Sequence, residues 1–383
     1  MSVSQYHGVR VRADFTEEAP RAEDLSNYKV CRKGEIVVNR MSAYQGALGV
    51  SPVDGLVSPD YMVLRLRATH DARFWEYLMR SGSFVSEMSA RVRGVGTVDA
   101  KNVRTPRISF DELKLIDVPT LSFTHERAIA DFLDRETAKI DALIEKQNEM
   151  IGLLCERKTE AVRHAISGRV TGGPSSKRTP DWLGTMPTHW ERKPLWSMYR
   201  REKRTGYIDE PMVSVFREYG VVFKEAFHNL NVTAEDRSIY QLVEPGWLVV
   251  NRMKAWQGSV GVSDIRGISS GHYICFRPLH RENHAFLNWL FRSPQYRDGL
   301  AMQSRGVRPG QAEVDNALLR QMPVMLPLLH EQDRIVRFLN RETAKIDALI
   351  AQAEEFIALA KERRAALITA AVTGQIDVLG KAG

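Results

Sequence analysis

A tract of mixed chemistry, Asn-Arg-Met-x-Ala-aromatic-Gln-Gly, occurs twice in the chain, at 39–46 and at 251–258. Each copy offers a guanidinium, two carboxamides and an aromatic face at a bend between two short apolar runs. Such groups fork onto guanine, pair with adenine or clamp phosphate. A plainer explanation is that Asn39 and Arg40, like Asn251 and Arg252, only satisfy backbone groups inside the turn. The tract is a candidate nucleic-acid contact, and both explanations stay open.

The tract belongs to a longer internal repeat. The decapeptide RETAKIDALI at 135–144 recurs 206 residues later at 341–350, and the matches around the tract recur at a spacing of 212. Ten identical residues do not recur by chance in a chain of 383, so the chain is a tandem duplication. The first copy begins at Met1, which aligns with Val213, and is expected to lack roughly thirty residues of its twin. Either the first domain does without its opening strand, or translation starts farther upstream.

The part of each copy around the decapeptide is helical by its spacing. In the second copy the apolar residues are Ile346, Ala353, Ala360 and Leu367 at every seventh position, with Leu349, Ile350, Phe356 and Ile357 between them. The first copy has Ile140, Leu154 and Ala161, with Leu143, Ile144, Met150 and Ile151. This stripe predicts a helix of about forty residues, roughly 60 Å long, that packs on another long helix. The simplest partner is the other copy, antiparallel, and the alternative is a helix of another protein.

The ends of these helices and the globular parts can also be placed. Gly168 and Gly374 stand where a left-handed residue ends a helix, and Cys155 is expected to pack within the stripe. The globular parts are α+β, with strands and helices expected at 34–38, 63–66 and 72–91 in the first copy, and at 246–250, 274–276 and 283–304 in the second.

The predicted fold is therefore α+β, with two tandem α/β domains joined by two long antiparallel helices that form a coiled coil with pseudo-twofold internal symmetry. The expected boundaries are a first domain at 1–123, a first helix at 124–168, a linker at 169–180, a second domain at 181–329, a second helix at 330–374 and a tail at 375–383.

Composition narrows the class of protein. The chain has 54 Lys and Arg against 47 Asp and Glu, a formal net charge of +7, which favours anionic partners without proving one. No apolar run approaches the ~20 residues of a membrane span, and the first residues lack the apolar core of a secretory signal. Cys31, Cys155 and Cys275 form neither a disulfide framework nor a CxxC site, so we expect a cytoplasmic protein with no membrane partner.

Motifs for catalysis are missing from the sequence. It contains no P-loop, no GxGxxG after a strand, no HExxH and no GxSxG. His280 and His284 lie four apart, but no nearby residues complete a zinc set. Asp134, Glu136 and Asp141 are expected to be solvated or ion-paired on helix surfaces. Because a duplicated chain would repeat an active site and the repeated residues are no acid–base or nucleophile set, we expect a binding protein without catalytic residues or a metal of its own.

The duplication also sorts the candidate DNA-binding residues. If the two halves bind different sequences, residues identical in both copies serve the fold or phosphate, and residues that differ read bases. The identical residues are Arg40, Gln45 and Arg93 with their twins Arg252, Gln257 and Arg305; the differing pairs are Ser42 with Lys254 and Tyr44 with Trp256; Lys101 and Arg308 fall in divergent loops after Arg-Gly-Val and suit either role. The plainer explanation for each basic residue is a solvated surface charge.

The whole pattern resembles the specificity (S) subunit of type I restriction–modification systems, and the resemblance covers nearly the whole chain. Its most specific part is the tract from Glu126, or from Glu331, through the RETAKIDALI helix to the Thr/Ser-Gly ending. Trp182-Leu183-Gly184 with Trp190 is similar to the usual opening of a target recognition domain. The departure from the family is the missing start of the first recognition domain.

The resemblance implies a division of labour. Each recognition domain reads one half of a split site in double-stranded DNA, and the coiled coil sets the separation of the halves and docks two methyltransferase (M) subunits. Restriction (R) subunits join through the M complex. The M subunits bind S-adenosylmethionine and methylate adenine, and the R subunits use ATP and Mg, so the S subunit itself has no cofactor and is not an enzyme.

Two other functions fit the same sequence. A free-standing DNA-binding regulator would use the duplicated architecture without an M partner, so co-purification with a methyltransferase subunit separates it from the first reading. A coiled-coil assembly scaffold would bind protein at its globular ends. It predicts little salt dependence of DNA binding, whereas counterion release gives a log–log slope of about −0.9 per neutralised phosphate.

Inserting about four residues into the 135–154 helix adds about 6 Å of rise. We expect the insertion to lengthen the non-specific spacer between the two half-sites and to leave the half-sites unchanged, because reading and spacing lie in different parts of the chain. Mapping methylated adenines in a host that carries the variant measures both properties. Altered half-site bases would contradict the prediction.

Overall fold

The computed structural model describes residues 1–14, 24–92, 107–176, 179–226, 236–306 and 312–378. The first repeat contains β1 (Ser2–Ser4), β2 (Gly8–Arg10), β3 (Lys29–Cys31), β4 (Ile36–Asn39), β5 (Leu48–Val50), β6 (Gly55–Val57), β7 (Tyr61–Leu64), α1 (Ala72–Arg80), α2 (Gly82–Arg91), α3 (Phe110–Leu113) and α4 (Phe123–Ile166). In the described part of the chain, no helix is both long and apolar enough to cross a membrane.

The second repeat has the same elements in the same order, with additional ones before them and three additional short strands near its end. They are β8 (Ser175–Ser176), β9 (Met186–Pro187), β10 (Glu191–Pro194), α5 (Leu195–Met198), β11 (Tyr199–Arg201), β12 (Val213–Phe216), β13 (Gly220–Phe223), β14 (Gln241–Val243), β15 (Leu248–Asn251), β16 (Val260–Val262), β17 (Gly267–Ser269), β18 (Tyr273–Pro278), α6 (His284–Arg292), α7 (Pro294–Met302), β19 (Ser304–Arg305), β20 (Glu313–Val314), α8 (Asn316–Gln321), β21 (Pro323–Leu326) and α9 (Leu329–Val372).

The two repeats build the same antiparallel sheet. In the first, β4 lies between β5 and β7, with Val37 opposite Gly49 and Val63. In the second, β15 lies between β16 and β18 in the same register, and β11 adds a fourth strand on the outer edge of β18. The central strands are β-branched and fully buried, as suits a strand covered on both faces.

The helix expected at 72–91 is two helices, and so is the one at 283–304. Ser81 separates α1 from α2, and its hydroxyl accepts the Phe84 N–H. Ser293 caps α7 in the same way through the Tyr296 N–H, with Pro294 at the first helical position. Pro lacks the N–H that a continuous helix needs, and a Ser cap starts a new helix, so apolar spacing alone overestimated the length.

Two compact units divide the chain, Met1–Glu149 with Ala353–Gly383 and Met150–Gln352. In the first unit, the apolar core of the globular domain includes Leu133 near the start of α4. The same core includes Ile368, Ala371 and Val372 from the end of α9, all nearly fully buried. The domain is therefore closed by a segment more than two hundred residues away in sequence.

The second unit is built in the same way from the opposite ends of the two helices. Its core takes Leu339 from the start of α9 and Val162, Ala165 and Ile166 from the end of α4. These residues are the repeat equivalents of the helix residues in the first core. Each domain thus packs on the beginning of its own helix and on the end of the other.

Ion pairs join the two helices within each unit. Asp141 of the first RETAKIDALI pairs with Arg364 at 2.9 Å in the first unit. Asp347 of the second RETAKIDALI pairs with Lys158 at 2.6 Å in the second. Within each unit, a residue farther along one helix contacts a residue nearer the start of the other. The two helices therefore run antiparallel, which confirms the predicted pairing. Half-exposed pairs contribute only about 0–1 kcal/mol each, so they select register more than they add stability.

Most helix predictions hold, with two exceptions. Gly168 and Gly374 end their helices in the left-handed region, at φ 77° and 75°, as predicted. Cys155 is exposed, so its assignment to the packed stripe was wrong. The stripe is also narrower than predicted, because Ile346 and Ala353 are buried while four of its residues are exposed; these are Leu143, Met150, Leu349 and Phe356.

Where each long helix contacts its own globular domain, the two repeats use different polar groups at equivalent positions. Tyr77 donates a hydrogen bond to Asp134 on α4 at 2.8 Å, and Trp289 donates one to Asn340 on α9 at 3.1 Å. Glu126 accepts the Asp71 N–H, and Gln332, not Glu331, accepts the equivalent Asn283 N–H. The buried acceptors Glu126 and Gln332 tie the start of each long helix to α1 or to its equivalent, α6.

The Ile368→Ala substitution should lower the free energy of unfolding of the first unit by about 2–4 kcal/mol, since it leaves a cavity in the core. Hydrogen exchange of α1 amides in increasing urea measures the effect on the globular domain. Leu359→Ala, at an exposed position of the same helix, is the matched control and should change little. Loss of protection confined to the end of α9 would show that the domain does not need this segment.

Candidate nucleic-acid interface

Each repeated tract forms the same capped turn after the central strand. The Asn39 Oδ1 accepts the Met41 N–H at 3.2 Å, and the Asn251 Oδ1 accepts the Met253 N–H at 3.1 Å. A short 3-10 helix follows and ends at Gly46 or Gly258, whose φ of 83° or 92° favours glycine. The Asn therefore serves the fold of the turn.

The arginine of each tract fastens the returning end of a divergent loop. Arg40 donates from Nε to the Ile108 carbonyl at 3.0 Å, and its own carbonyl accepts the Ile108 N–H. In the second repeat the Arg252 carbonyl accepts the Val314 N–H, and the guanidinium pairs with Glu313 at 3.0 Å. Both arginines hold the segment on which the loop comes back to the sheet, and their partners lie outside the turn itself.

The other tract residues form the accessible part of the turn. Gln45, Gln257 and Lys254 are exposed, and Ser42 is half-buried. Tyr44 and Trp256 are half-buried too, and the Trp256 Nε1 donates to the Met253 carbonyl at 3.0 Å. That bond fixes the ring on the turn. The positions that differ between the repeats are therefore accessible at the turn surface.

The remaining predicted site residues lie in or beside the divergent loops. Arg93, Lys101 and Arg308 fall outside the described residues. Arg305 is exposed in β19, with its Nε 3.5 Å from Asp315. The Asp315 side chain also caps α8. Arg305 therefore stands at the base of its loop.

A cleft of about 720 Å³ in the second unit includes part of the second turn. Asn251, Lys254 and Gln257 line it from the turn. Arg217 and Lys224 line it from the β12–β13 region, with His272 from the bend before β18. No Asp or Glu occurs among the described residues of the lining. A concave surface with several cations and no carboxylate attracts polyanions.

The first domain places different groups at the equivalent positions. Gln5, Ser42 and Asp60 stand where the second domain has Arg217, Lys254 and His272. Asp60 is itself paired with Arg107 at 3.3 Å. The second domain is thus the more strongly cationic of the two on this surface, although both share one turn.

Sequence reasoning missed Arg217, Lys224 and His272, since they belong to strands and bends far from the tract in sequence. The signal that identifies two of them was present in the repeat alignment, where Arg217 and His272 replace uncharged or acidic residues. A search restricted to the tract could not have found them.

The described residues hold no group of three or more His, Cys, Asp or Glu placed to bind a metal. The ring centroids of His280 and His284 are 6.3 Å apart. Burial, and after it the proximity of His284, lowers the pKa of His280 to about 4, so this ring is neutral at neutral pH. It packs edge-on against Tyr199.

The carboxylates considered for catalysis are engaged in ion pairs on the helices. Asp134 binds Arg73 at 2.7 Å, and Glu136 binds Lys139 at 2.7 Å. Lys139 lowers the pKa of Glu136 through that hydrogen bond.

Comparison with solved structures finds the same fold. A chain from a structure on the complex assembly and conformational transition of the type I R-M system has a TM-score of 0.62 at 18% identity, covering 92% of this chain and 85% of that one. The HsdS subunit from Thermoanaerobacter tengcongensis gives 0.47 at 19% identity, with coverage of 92% and 84%. The type I restriction–modification S subunit from M. genitalium gives 0.36 at 13% identity, with coverage of 89% and 83%.

No family model matches the sequence, and no curated protein matches it. The likeness to the first of these structures establishes the fold and confirms the architecture expected from the resemblance.

Arg217→Ala should weaken binding of duplex DNA equally across sequences and make the log–log salt slope shallower by about one. Lys254→Ala should instead relax base preference, by about 1–3 kcal/mol between cognate and mismatched sites. Fluorescence anisotropy at several salt concentrations measures both effects. Gln5→Ala, at the position of the first domain that is equivalent to Arg217, is the matched control. An unchanged slope in Arg217→Ala would remove that residue from the interface.

Proposed function

We propose that this chain, which has the fold of a type I restriction–modification chain, is the DNA-specificity subunit of such a system. The observation that carries the proposal is the pair of domains with one identical turn and different accessible side chains at equivalent places of that turn. A protein that reads two different half-sites needs this combination of shared scaffold and divergent surface.

DNA is read by the two domains separately in this proposal. In the second domain, Arg217 and Lys224 neutralise phosphates, while Lys254 and Trp256 face base edges. In the first domain Ser42 and Tyr44 take the reading positions. Gln45 and Gln257 contact the DNA backbone in both domains, together with Arg305 at the base of its loop and with Arg93, and Lys101 and Arg308 contribute as well.

Arg40 and Arg252 act indirectly. Because they hold the returning ends of the loops, they position loop residues against DNA. Their role is to keep the loop attached to the turn that it accompanies.

The helices offer docking surfaces for partner subunits. Away from the helix starts, each unit exposes three large apolar side chains at repeat-equivalent positions of its helix pair, here called the apolar triads. The first triad is Leu143, Phe356 and Leu359, and the second is Leu349, Met150 and Leu153. Single exposed apolar residues need no explanation, but the same three in both repeats indicate a partner surface used twice. We infer that each triad docks one methyltransferase subunit, two in all, and that restriction subunits join through them.

The chemistry of the complex then belongs to the partners. The methyltransferase subunits bind S-adenosylmethionine and transfer the methyl group to adenine, and the restriction subunits use ATP and Mg. This chain contributes position and sequence choice, without a catalytic residue or a cofactor of its own.

Co-expression with the methyltransferase subunit of its host tests the proposal. The expected result is a stable complex that methylates adenine within a bipartite site, where the Trp256→Ala substitution changes only the half-site read by the second domain. A chain that binds DNA tightly but no methyltransferase would instead be a free-standing regulator. A flat salt dependence of DNA binding would indicate an assembly scaffold.

Leu153→Asp should lower the number of bound methyltransferase subunits from two to one, because a charge placed in an apolar contact weakens it at least about tenfold. Leu153→Asp combined with Leu359→Asp should remove both. Native mass spectrometry counts the subunits, and Glu156→Gln on the same helix is the control. Retention of two subunits by the double variant would place docking elsewhere.

A further inference from the structure

An apolar groove of about 590 Å³ lies on the first domain, apart from the turn and the helix triads. Its lining includes Leu64 at the end of β7, Phe84 on α2, and Leu113, Ile116 and Val118 after the divergent loop. Val118 is 37% exposed. The groove is therefore a substantial apolar surface within a single unit.

The equivalent residues of the second domain are covered by another segment of the same chain. Phe276, Tyr296, Leu319, Met322 and Val324 are the repeat equivalents of the groove residues, and Val324 is 0% exposed. The segment that covers them is 190–201, with four side chains buried in the same core; these are Trp190, Leu195, Met198 and Tyr199.

The covering segment is also bonded through its backbone. β10 pairs with β21 along four residues, and β11 pairs with the outer edge of β18 at Phe276–Pro278. The Leu195 N–H donates to the Met322 carbonyl at 2.9 Å. The backbone groups along β21 and along the outer edge of β18 are hydrogen-bonded in this way in the second domain.

The equivalent edges are open in the first domain. β7 is the edge strand of its sheet and has four residues where β18 has six, and no described strand pairs with residues 117–120, the equivalents of β21. The Trp75 Nε1, at the groove, is buried without a hydrogen-bond partner among the described residues. An apolar groove beside a free strand edge is the arrangement that accepts an added strand.

We propose that this groove is a docking site for a polypeptide segment with the pattern of the chain's own residues 190–202. The Met1 nitrogen donates to the Leu56 carbonyl at 2.8 Å, so Met1 lies beside the sheet. In the second domain, the chain reaches Val213, the equivalent of Met1, directly from the covering segment. A copy of that segment linked to Met1 is therefore placed to enter the groove in the same register.

The second domain also shows which side chains the occupant carries. Glu202, immediately after β11, binds Arg277 at 2.7 Å, and Arg277 is the equivalent of Arg65 at the groove. Arg65 already pairs with Glu35 at 2.7 Å, so it needs no carboxylate from the occupant. The occupant accordingly carries an aromatic residue, then apolar residues at the spacing of Leu195, Met198 and Tyr199. This inference does not depend on DNA recognition.

Fusing a copy of residues 181–212 ahead of Met1 of the full chain tests the proposal. The reporter is the thiol introduced by Val118→Cys, in a Cys155→Ser background because Cys155 is the exposed native cysteine. We expect the fusion to slow labelling of that thiol by at least about tenfold and to protect the amides of 64–66 to a similar extent. The control fusion carries Ser at the four buried positions of the added copy and should protect neither.

Equal labelling of the fused and unfused chains would overturn the proposal. So would protection by the control fusion, since it would show that sequence in the groove does not matter. If the unfused chain forms a dimer in which the thiol is already protected, the occupant is a second copy and the proposed segment is wrong. Analytical ultracentrifugation of each variant separates these outcomes.

Discussion

The constraint on which the rest of the structure depends is that each globular domain is completed by the far end of the other repeat's helix. Ile368 and Val372 enter the first core, and their equivalents Val162 and Ile166 enter the second. A fully buried aliphatic side chain contributes roughly 1.5–3 kcal/mol, so two or three of them outweigh the half-exposed ion pairs between the helices. Apolar burial at the ends therefore holds the pairing, and the ion pairs of Asp141 and Asp347 choose its register.

Duplication makes visible which residues serve the fold and which are free to change. Asn39, Ala43 and Gly46 recur because the turn needs a cap, a small buried side chain and a left-handed residue. At helix-to-domain contacts a Tyr–Asp bond is exchanged for a Trp–Asn bond without loss of the hydrogen bond. At the accessible turn positions, the exchanged residues keep no common interaction. The surface residues of the turn have thus diverged between the repeats, whereas the residues that build the turn have not.

Much of this architecture could be predicted from the sequence, because the repeated residues align the two halves of the chain with each other. The two long helices, their glycine ends, the central strands and the turn all follow from spacing. What failed were features decided by neighbours in space. Cys155 and Leu143 lie on apolar spacing yet face outward, since two paired helices bury a stripe narrower than the pattern allows. The cleft residues Arg217 and His272 come from separate elements, so only the folded sheet brings them to the turn.

The same sheet links the repeated turn to the groove on the first domain. β4 carries the turn at its end and pairs with β7, whose outer edge borders the groove. Arg40, directly after β4, holds Ile108, and the chain then runs through α3 to Ile116 and Val118 in the groove lining. In the second domain that edge is covered, and the equivalent loop ends are paired as β19 and β20. The groove lining and the segment held by Arg40 follow each other along the chain of the first domain. A polypeptide bound at the edge of β7 would therefore lie next to the residues that anchor the divergent loop.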